Sequence, residues 1–161
     1  MPPTVESIIS DILQREGPYS DHPNDRGGKT AWGISIKSHP EAWKDGPPTR
    51  DQARQIYLHW YVQRPGFDQI SDPHLVAQLV DFAVHSGPQL ASVKLQHVLG
   101  VEEDGLIGPE TLGALLGRSS RDVSNAVAVE RIKMIGRIIA RDKFQAVWAA
   151  GWLKRATEFI R

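Results

Sequence analysis

Pairs built from glycine and proline cut this sequence into short lengths, and most lengths between them carry apolar residues at the three- and four-residue spacing of helices. Gly17-Pro18, Pro65-Gly66, Gly87-Pro88 and Gly108-Pro109 punctuate the chain, joined by Pro47-Pro48 and Asp72-Pro73. Proline is tolerated at the first position of a helix and glycine just past its end, so these pairs mark where helices open and close. The chain has to pack several short helices against one another.

The helices can be placed individually. Val5, Ile8, Ile9, Ile12 and Leu13 form one apolar stripe on a helix from about residue 4 to 16, which Gly17-Pro18 ends. Residues 20–28 are dense in turn formers, and Lys29 to Ile36 reads as a short strand or hairpin, the one convincing β segment. Thr49 with Gln52 forms a capping box that opens a helix through Ile56 and Trp60. Further helices run from Asp72-Pro73 to about His85, from 89 to 98, from Gly108-Pro109, and from about 121 to 140. In the last of these Ala128, Ile132, Ile135 and Ile139 line the face expected on a core, and Phe144, Trp148, Trp152 and Phe159 are read as continuing that core. The expected fold class is therefore α+β, predominantly α-helical, with one small β-hairpin after the first helix. No repeat or linker divides the 161 residues, so one domain is expected over 1–161, with halves 1–87 and 88–161.

Several chemistries are excluded by composition. There is no cysteine, which removes disulfides, thiolate metal sites and cysteine nucleophiles together. The six histidines, at 22, 39, 59, 74, 85 and 97, show no His-Glu-x-x-His or other compact ligand spacing, so no metal and no cofactor is expected. Neither a Gly-x-Ser-x-Gly elbow nor a phosphate-cradling loop is present. No apolar run reaches spanning length, and no basic segment precedes an apolar one at the amino terminus, so a cytoplasmic origin without a signal peptide is expected. Formal charge is balanced over the chain, yet residues 118–161 hold 10 basic and 4 acidic residues. The bland reading of that tail is a solvated helix face. Contact of the basic carboxy-terminal helices with an anionic envelope is the alternative.

What remains for chemistry is carboxylates. Glu16 lies four residues after Ile12, close to the azimuth of the apolar stripe, so the first helix is expected to turn it toward the interior. It also faces the negative pole of the helix dipole. Both conditions favour the neutral acid, which is the form a general acid needs. Asp25 follows nine residues later in a polar, glycine-rich turn that would keep it ionised, and two carboxyls in opposite environments are the pattern of glycosidases. Asp21 competes with Asp25 for that part. Thr30 is placed to position a water, and it is equally a good strand residue.

The strings Glu16-Gly17-Pro18-Tyr19, Asp25-Arg26-Gly27-Gly28-Lys29-Thr30 and Gly33-Ile34 resemble the glycoside hydrolase family 108 muramidases. A second block, Asp81 to Gly87 followed by Leu95-Gln96, Asp104-Gly105-Leu106-Ile107-Gly108-Pro109-Glu110-Thr111 and Gly151 to Arg155, is similar to the peptidoglycan-binding region that accompanies them. The resemblance implies a lysozyme-like fold that hydrolyses the β-1,4 bond between N-acetylmuramic acid and N-acetylglucosamine, with Glu16 as the acid and Asp25 and Thr30 as its partners. It also implies a phage endolysin or a bacterial secretion activator acting on the wall. Pro18 and His85 depart from the family, which usually has glycine and often asparagine there.

Aromatic faces stack on sugar rings, so Tyr19, Trp32 and Trp60 are the expected sugar contacts, and Asp81 and His85 of the second block are grouped with them. The partner expected is the peptidoglycan glycan strand, bound by a monomer, with no nucleic acid. Two other outcomes remain open at this point: a lytic transglycosylase, and a non-catalytic peptidoglycan-binding or secretion-assisting protein.

Overall fold

The structure is a computed structural model that describes residues 3–21 and 28–161. Contacts divide the chain into two compact units, one of Glu6–Trp60 and one of Tyr61–Arg161 together with the first residues up to Val5. The division falls within helical chain, where no shift in composition marks it.

The first unit begins with α1 (Val5–Glu16), which buries Ile8, Ile9, Ile12 and Leu13, the stripe read from the sequence. A two-residue antiparallel hairpin follows, β1 (Thr30–Ala31) and β2 (Ile34–Ser35), in which Thr30 faces Ser35 and Ala31 faces Ile34. Ala31 and Ile34 are both buried, so one face of the hairpin closes on the core. A short 3-10 turn (Pro40–Trp43) leads on toward α2 (Arg50–Leu58). The capping box is formed: the Thr49 hydroxyl accepts from the Gln52 amide at 3.2 Å, and the Thr49 amide donates to Gln52 Oε1 at 2.7 Å. Each bond satisfies an amide that the first turn of a helix would otherwise leave bare. A π turn over His59–Gln63 continues the helical path.

In the second unit α3 (Pro73–Ser86) is the central element. Asp72 caps it, accepting from the Leu75 amide at 2.8 Å, and Leu75 through Ala83 are buried without interruption. A helix buried all round must be enclosed by others. It packs on α4 (Pro88–Leu99) and α6 (Ser120–Arg141); α6 packs in turn on α4 and α7 (Ala149–Thr157), and α5 (Pro109–Leu116) on α4. Gln96 of α4 organises the acidic turn before α5. Its amide nitrogen donates to Asp104 Oδ1 at 2.7 Å and to the Leu106 carbonyl at 2.9 Å, while its oxygen accepts from the Gly105 amide at 2.8 Å. The Asp104-Gly105 block therefore builds the turn itself.

The core of this unit contains one buried charge cluster. Asp81, 2% exposed on α3, accepts from Arg131 Nη1 at 2.7 Å through one oxygen and from Arg155 Nη2 at 2.6 Å through the other. Burial pushes this carboxyl up, but the Arg131 and Arg155 guanidiniums beside it prevail and hold it below the usual carboxylate range. The face of α6 that meets the core carries Val123, Val127, Ala128, Arg131 and Ile135, so Ala128 and Ile135 of the expected stripe are buried while Ile132 and Ile139 are half-buried. The expectation of an aromatic core beyond α6 also needs correction. Phe159 is buried, but Phe144 and Trp148 are 90% and 60% exposed. The fold class stands as expected, predominantly helical with one small hairpin after α1. Among the described residues no helix is long and apolar enough to cross a membrane.

Replacing Asp81 by Asn would leave Arg131 buried without its counter-charge, and the expected loss is about 3–5 kcal/mol in urea denaturation. Because the folded-state pKa of Asp81 is depressed, its contribution is present at neutral pH and lost as pH falls below about 4 through that depressed value. The difference between parent and Asp81→Asn in urea midpoint should therefore shrink on acidification.

Candidate functional site

Glu16 is the last residue of α1, and the chain leaves the helix through Gly17 in the left-handed region, with φ 72°. The Gly17 amide returns to the Leu13 carbonyl at 3.2 Å, which closes the helix end. Three backbone bonds then tie the hairpin to this exit. Ser20 and Thr30 exchange amide-to-carbonyl bonds of 2.7 and 2.9 Å, and the Trp32 amide donates to the Gly17 carbonyl at 2.8 Å. The hairpin tip is thus anchored one residue beyond the carboxylate.

The tip itself is a two-residue turn, Trp32-Gly33, with φ 53° and 80°. Positive φ at both positions is the turn that matches strand twist, and it normally takes Asn-Gly. Trp32 is the one non-glycine residue at positive φ among the described residues, and a bulky side chain there stores about 1–3 kcal/mol of strain. Gly33 is required for a different reason. A Cβ at this position would collide with Tyr57 Oη and lie 2.9 Å from Glu16 Cγ. The end of α1, the buried Tyr57 of α2 and the hairpin turn therefore meet over a single missing side chain.

The interior position expected for Glu16 is not found, because the residue is exposed. The apolar stripe ends with Leu13, and the last turn of α1 is covered on one side only, by the Gly33 turn. Among the other candidates, Asp25 lies outside the described residues. Thr30 is half-buried and its hydroxyl donates to the Gly28 carbonyl at 3.2 Å, a bond that braces the hairpin. Tyr19 is 49% exposed, and its hydroxyl donates to Asp21 Oδ2 at a long 3.4 Å. Trp32 is half-buried. Trp60 is also half-buried, held edge-on by the His39 and His59 rings at 5.5 and 5.8 Å. Glu16, Tyr19, Thr30, Trp32 and Trp60 all belong to the first unit.

Asp81 and His85 belong to the second unit. Both oxygens of Asp81 are held by arginines inside the helical core, so this carboxylate positions other groups and has no open face for a sugar. The His85 ring is 24% exposed by its side chain and meets the Asp81 carbonyl through Nδ1 at 2.7 Å. A carbonyl can only accept, so Nδ1 carries the proton and Nε2 is left as an acceptor. Burial lowers its pKa, so the ring is neutral at neutral pH. With Arg131, Met134, Ile135, Ile138 and Trp152 it lines a cavity of about 130 Å³, smaller than the roughly 300–1,000 Å³ of ordinary ligand pockets. Among the described residues no cluster of His, Asp and Glu could hold a metal ion.

Tyr57 is the site residue that sequence reasoning missed. It stands four positions after the buried Ala53, on the inward face of α2, and a buried phenol usually has a polar task. Gly33→Ala should destabilise the protein by at least 1–2 kcal/mol, about the left-handed penalty alone, with the Tyr57 collision added. Thermal denaturation reads the loss. Gly17→Ala meets no side chain and carries the left-handed penalty only, so it should cost less.

Comparison with known proteins bears on this arrangement. Residues 9–87 match the glycosyl hydrolase 108 family, and residues 90–157 match a predicted peptidoglycan domain. Among solved structures, that of Brucella abortus SagA is similar, with a TM-score of 0.71 and 28% sequence identity over 96% of this chain and 90% of that one. No curated protein matches the chain. The hydrolase match takes in α1, the hairpin, α2 and α3, so Glu16 and the Trp32-Gly33 turn lie inside it. This chain thus carries a glycosyl hydrolase 108-family domain over residues 9–87, followed by a peptidoglycan-domain region over residues 90–157.

Proposed function

We propose that this protein binds peptidoglycan glycan strands and hydrolyses the β-1,4 bond between N-acetylmuramic acid and N-acetylglucosamine, with Glu16 as the general acid. The observation that carries this reading is the convergence of Glu16, Tyr57 and the strained Trp32-Gly33 turn over one glycine. Strain in a bulky residue persists where the surrounding structure enforces it and function uses it. Here the turn that carries the Trp32 indole lies against the Glu16 side chain, so a sugar stacked on that indole would have its glycosidic oxygen within the reach of Glu16. Glu16 is exposed in the free chain, so the bound glycan itself supplies the water-poor surroundings that favour proton donation. The acid gives its proton to the leaving oxygen, Asp25 or Asp21 supports the developing positive charge, and water completes the cleavage. The strand turn at Thr30 holds the tip in place.

A second reading is favoured by the exposure of Glu16 and by the match to a peptidoglycan domain: a wall-binding or secretion-assisting protein that does not cleave. One experiment separates the two. Purified sacculi are incubated with parent and Glu16→Gln protein, and reducing ends and bound protein are both measured. The hydrolase reading expects reducing ends from the parent and a loss of about 10²-fold or more in Glu16→Gln, with unchanged melting temperature. Parent protein that pellets with sacculi and releases no reducing ends would establish the binding reading. Anhydromuramic ends in place of reducing ends would make it a lytic transglycosylase. Trp32→Asn should retain the hairpin, since asparagine tolerates the left-handed region, and should weaken pelleting with sacculi.

A further inference from the structure

α6 stops at Arg141, and Asp142 redirects the chain, its Oδ1 accepting from the Phe144 amide at 3.0 Å. The 3-10 turn that follows, Lys143–Trp148, shows its apolar residues to solvent: Phe144 is 90%, Val147 75% and Trp148 60% exposed. In a 3-10 turn residues three apart stand over one another, so Phe144 and Val147 share one face and Trp148 is exposed on the adjoining one. Leu153 of α7, which packs on this turn, is 36% exposed. Isolated exposed apolar residues need no explanation, but a contiguous aromatic cluster marks a surface that meets something.

The charges around it indicate what. Arg137, Arg141, Lys143 and Lys154 are all exposed, and none pairs with a carboxylate among the described residues. The acid within this stretch, Asp142, is engaged by the Phe144 amide and by Gln145 Nε2 at 3.1 Å. Large apolar side chains exposed on one turn, with four unpaired cations on that turn and on the helices before and after it, are complementary to a surface with an anionic outer layer and an apolar interior. A second copy of this chain does not fit, since a two-fold contact would bring these cations onto their own counterparts.

We propose that the Lys143–Trp148 turn seats the protein on an anionic lipid surface, Phe144, Val147 and Trp148 entering the headgroup boundary while Arg137, Arg141, Lys143 and Lys154 meet lipid phosphates. Tryptophan suits that depth because its ring is apolar and its N–H remains hydrated. The attachment is peripheral and depends on ionic strength, because the cations act within a Debye length of the surface.

Sedimentation of the full chain with phosphatidylcholine vesicles, with and without phosphatidylglycerol, tests this. Binding is expected only when phosphatidylglycerol is present, and it should weaken as salt is raised. The Phe144→Ser/Trp148→Ser double variant should lose at least about tenfold in affinity, and Lys143→Gln about fivefold. Circular dichroism confirms that these exposed substitutions leave the fold intact. Binding to neither vesicle, equal binding to both, or a double variant that binds as the parent does would overturn the proposal. Self-association abolished by the double variant, without vesicle binding, would also overturn it and assign the cluster to a second copy. Sacculi carry no lipid, so the double variant should act on them as the parent does. A failure with vesicles therefore leaves the peptidoglycan reading untouched.

Discussion

The first unit closes over an atom that is missing. Tyr57 Oη and Glu16 Cγ both occupy the space where any residue other than glycine at position 33 would place its Cβ. Two helices and a hairpin turn can approach this closely only because of that vacancy, and the approach sets the Glu16 side chain against the turn. The constraint runs in both directions. Gly33 must hold a positive φ to make the turn, and the turn must be tight to bring its tip under the end of α1.

So small a hairpin cannot be stable by itself, with two residue pairs and a bulky side chain at positive φ. The strain at Trp32, about 1–3 kcal/mol, is comparable to what full burial of one isoleucine contributes, about 1.5–3 kcal/mol. Ile34 is such a residue, and Ala31 beside it is fully buried. Backbone bonds from Gly17 and Ser20 hold the other edge. The hairpin is therefore stable as part of the α1 exit, and the strain is concentrated at its tip.

The second unit solves a different problem. An isolated carboxylate in a helical core would be prohibitive, so Asp81 has a guanidinium on each oxygen, and Arg131 lies in turn over the Phe82 ring at 5.0 Å. The cluster costs desolvation, and its return is orientation: Arg131 enters the core face of α6 among the buried Val127, Ala128 and Ile135. One buried charge thus takes a place on the face that local periodicity gives to apolar residues. The same cluster involves Arg155, which links α7 to α3 and leaves the preceding turn at the periphery.

Much of this could be read from the chain because the signals were local. The α1 stripe, the Thr49–Gln52 box, the Asp72 cap and the glycine exits each act within one turn of their own position. Glu16 could be placed at a helix end on the same grounds, but its exposure could not, because that depends on what covers the helix end from elsewhere. Tyr57 was missed for a related reason: its meeting with Gly33 joins positions far apart in the chain. Phe144 and Trp148 show how local reasoning fails. Their spacing continues the helical count from α6 only if the helix continues, whereas Asp142, at φ −137° and ψ 99°, breaks it and binds the next turn through its side chain. Once the count is reset, the turn runs at three residues per revolution, and the direction in which Phe144 and Trp148 point is no longer set by α6. Periodicity identifies which side chains stand together, and the capping residue between two helical segments decides whether they stand against the core or against the solvent.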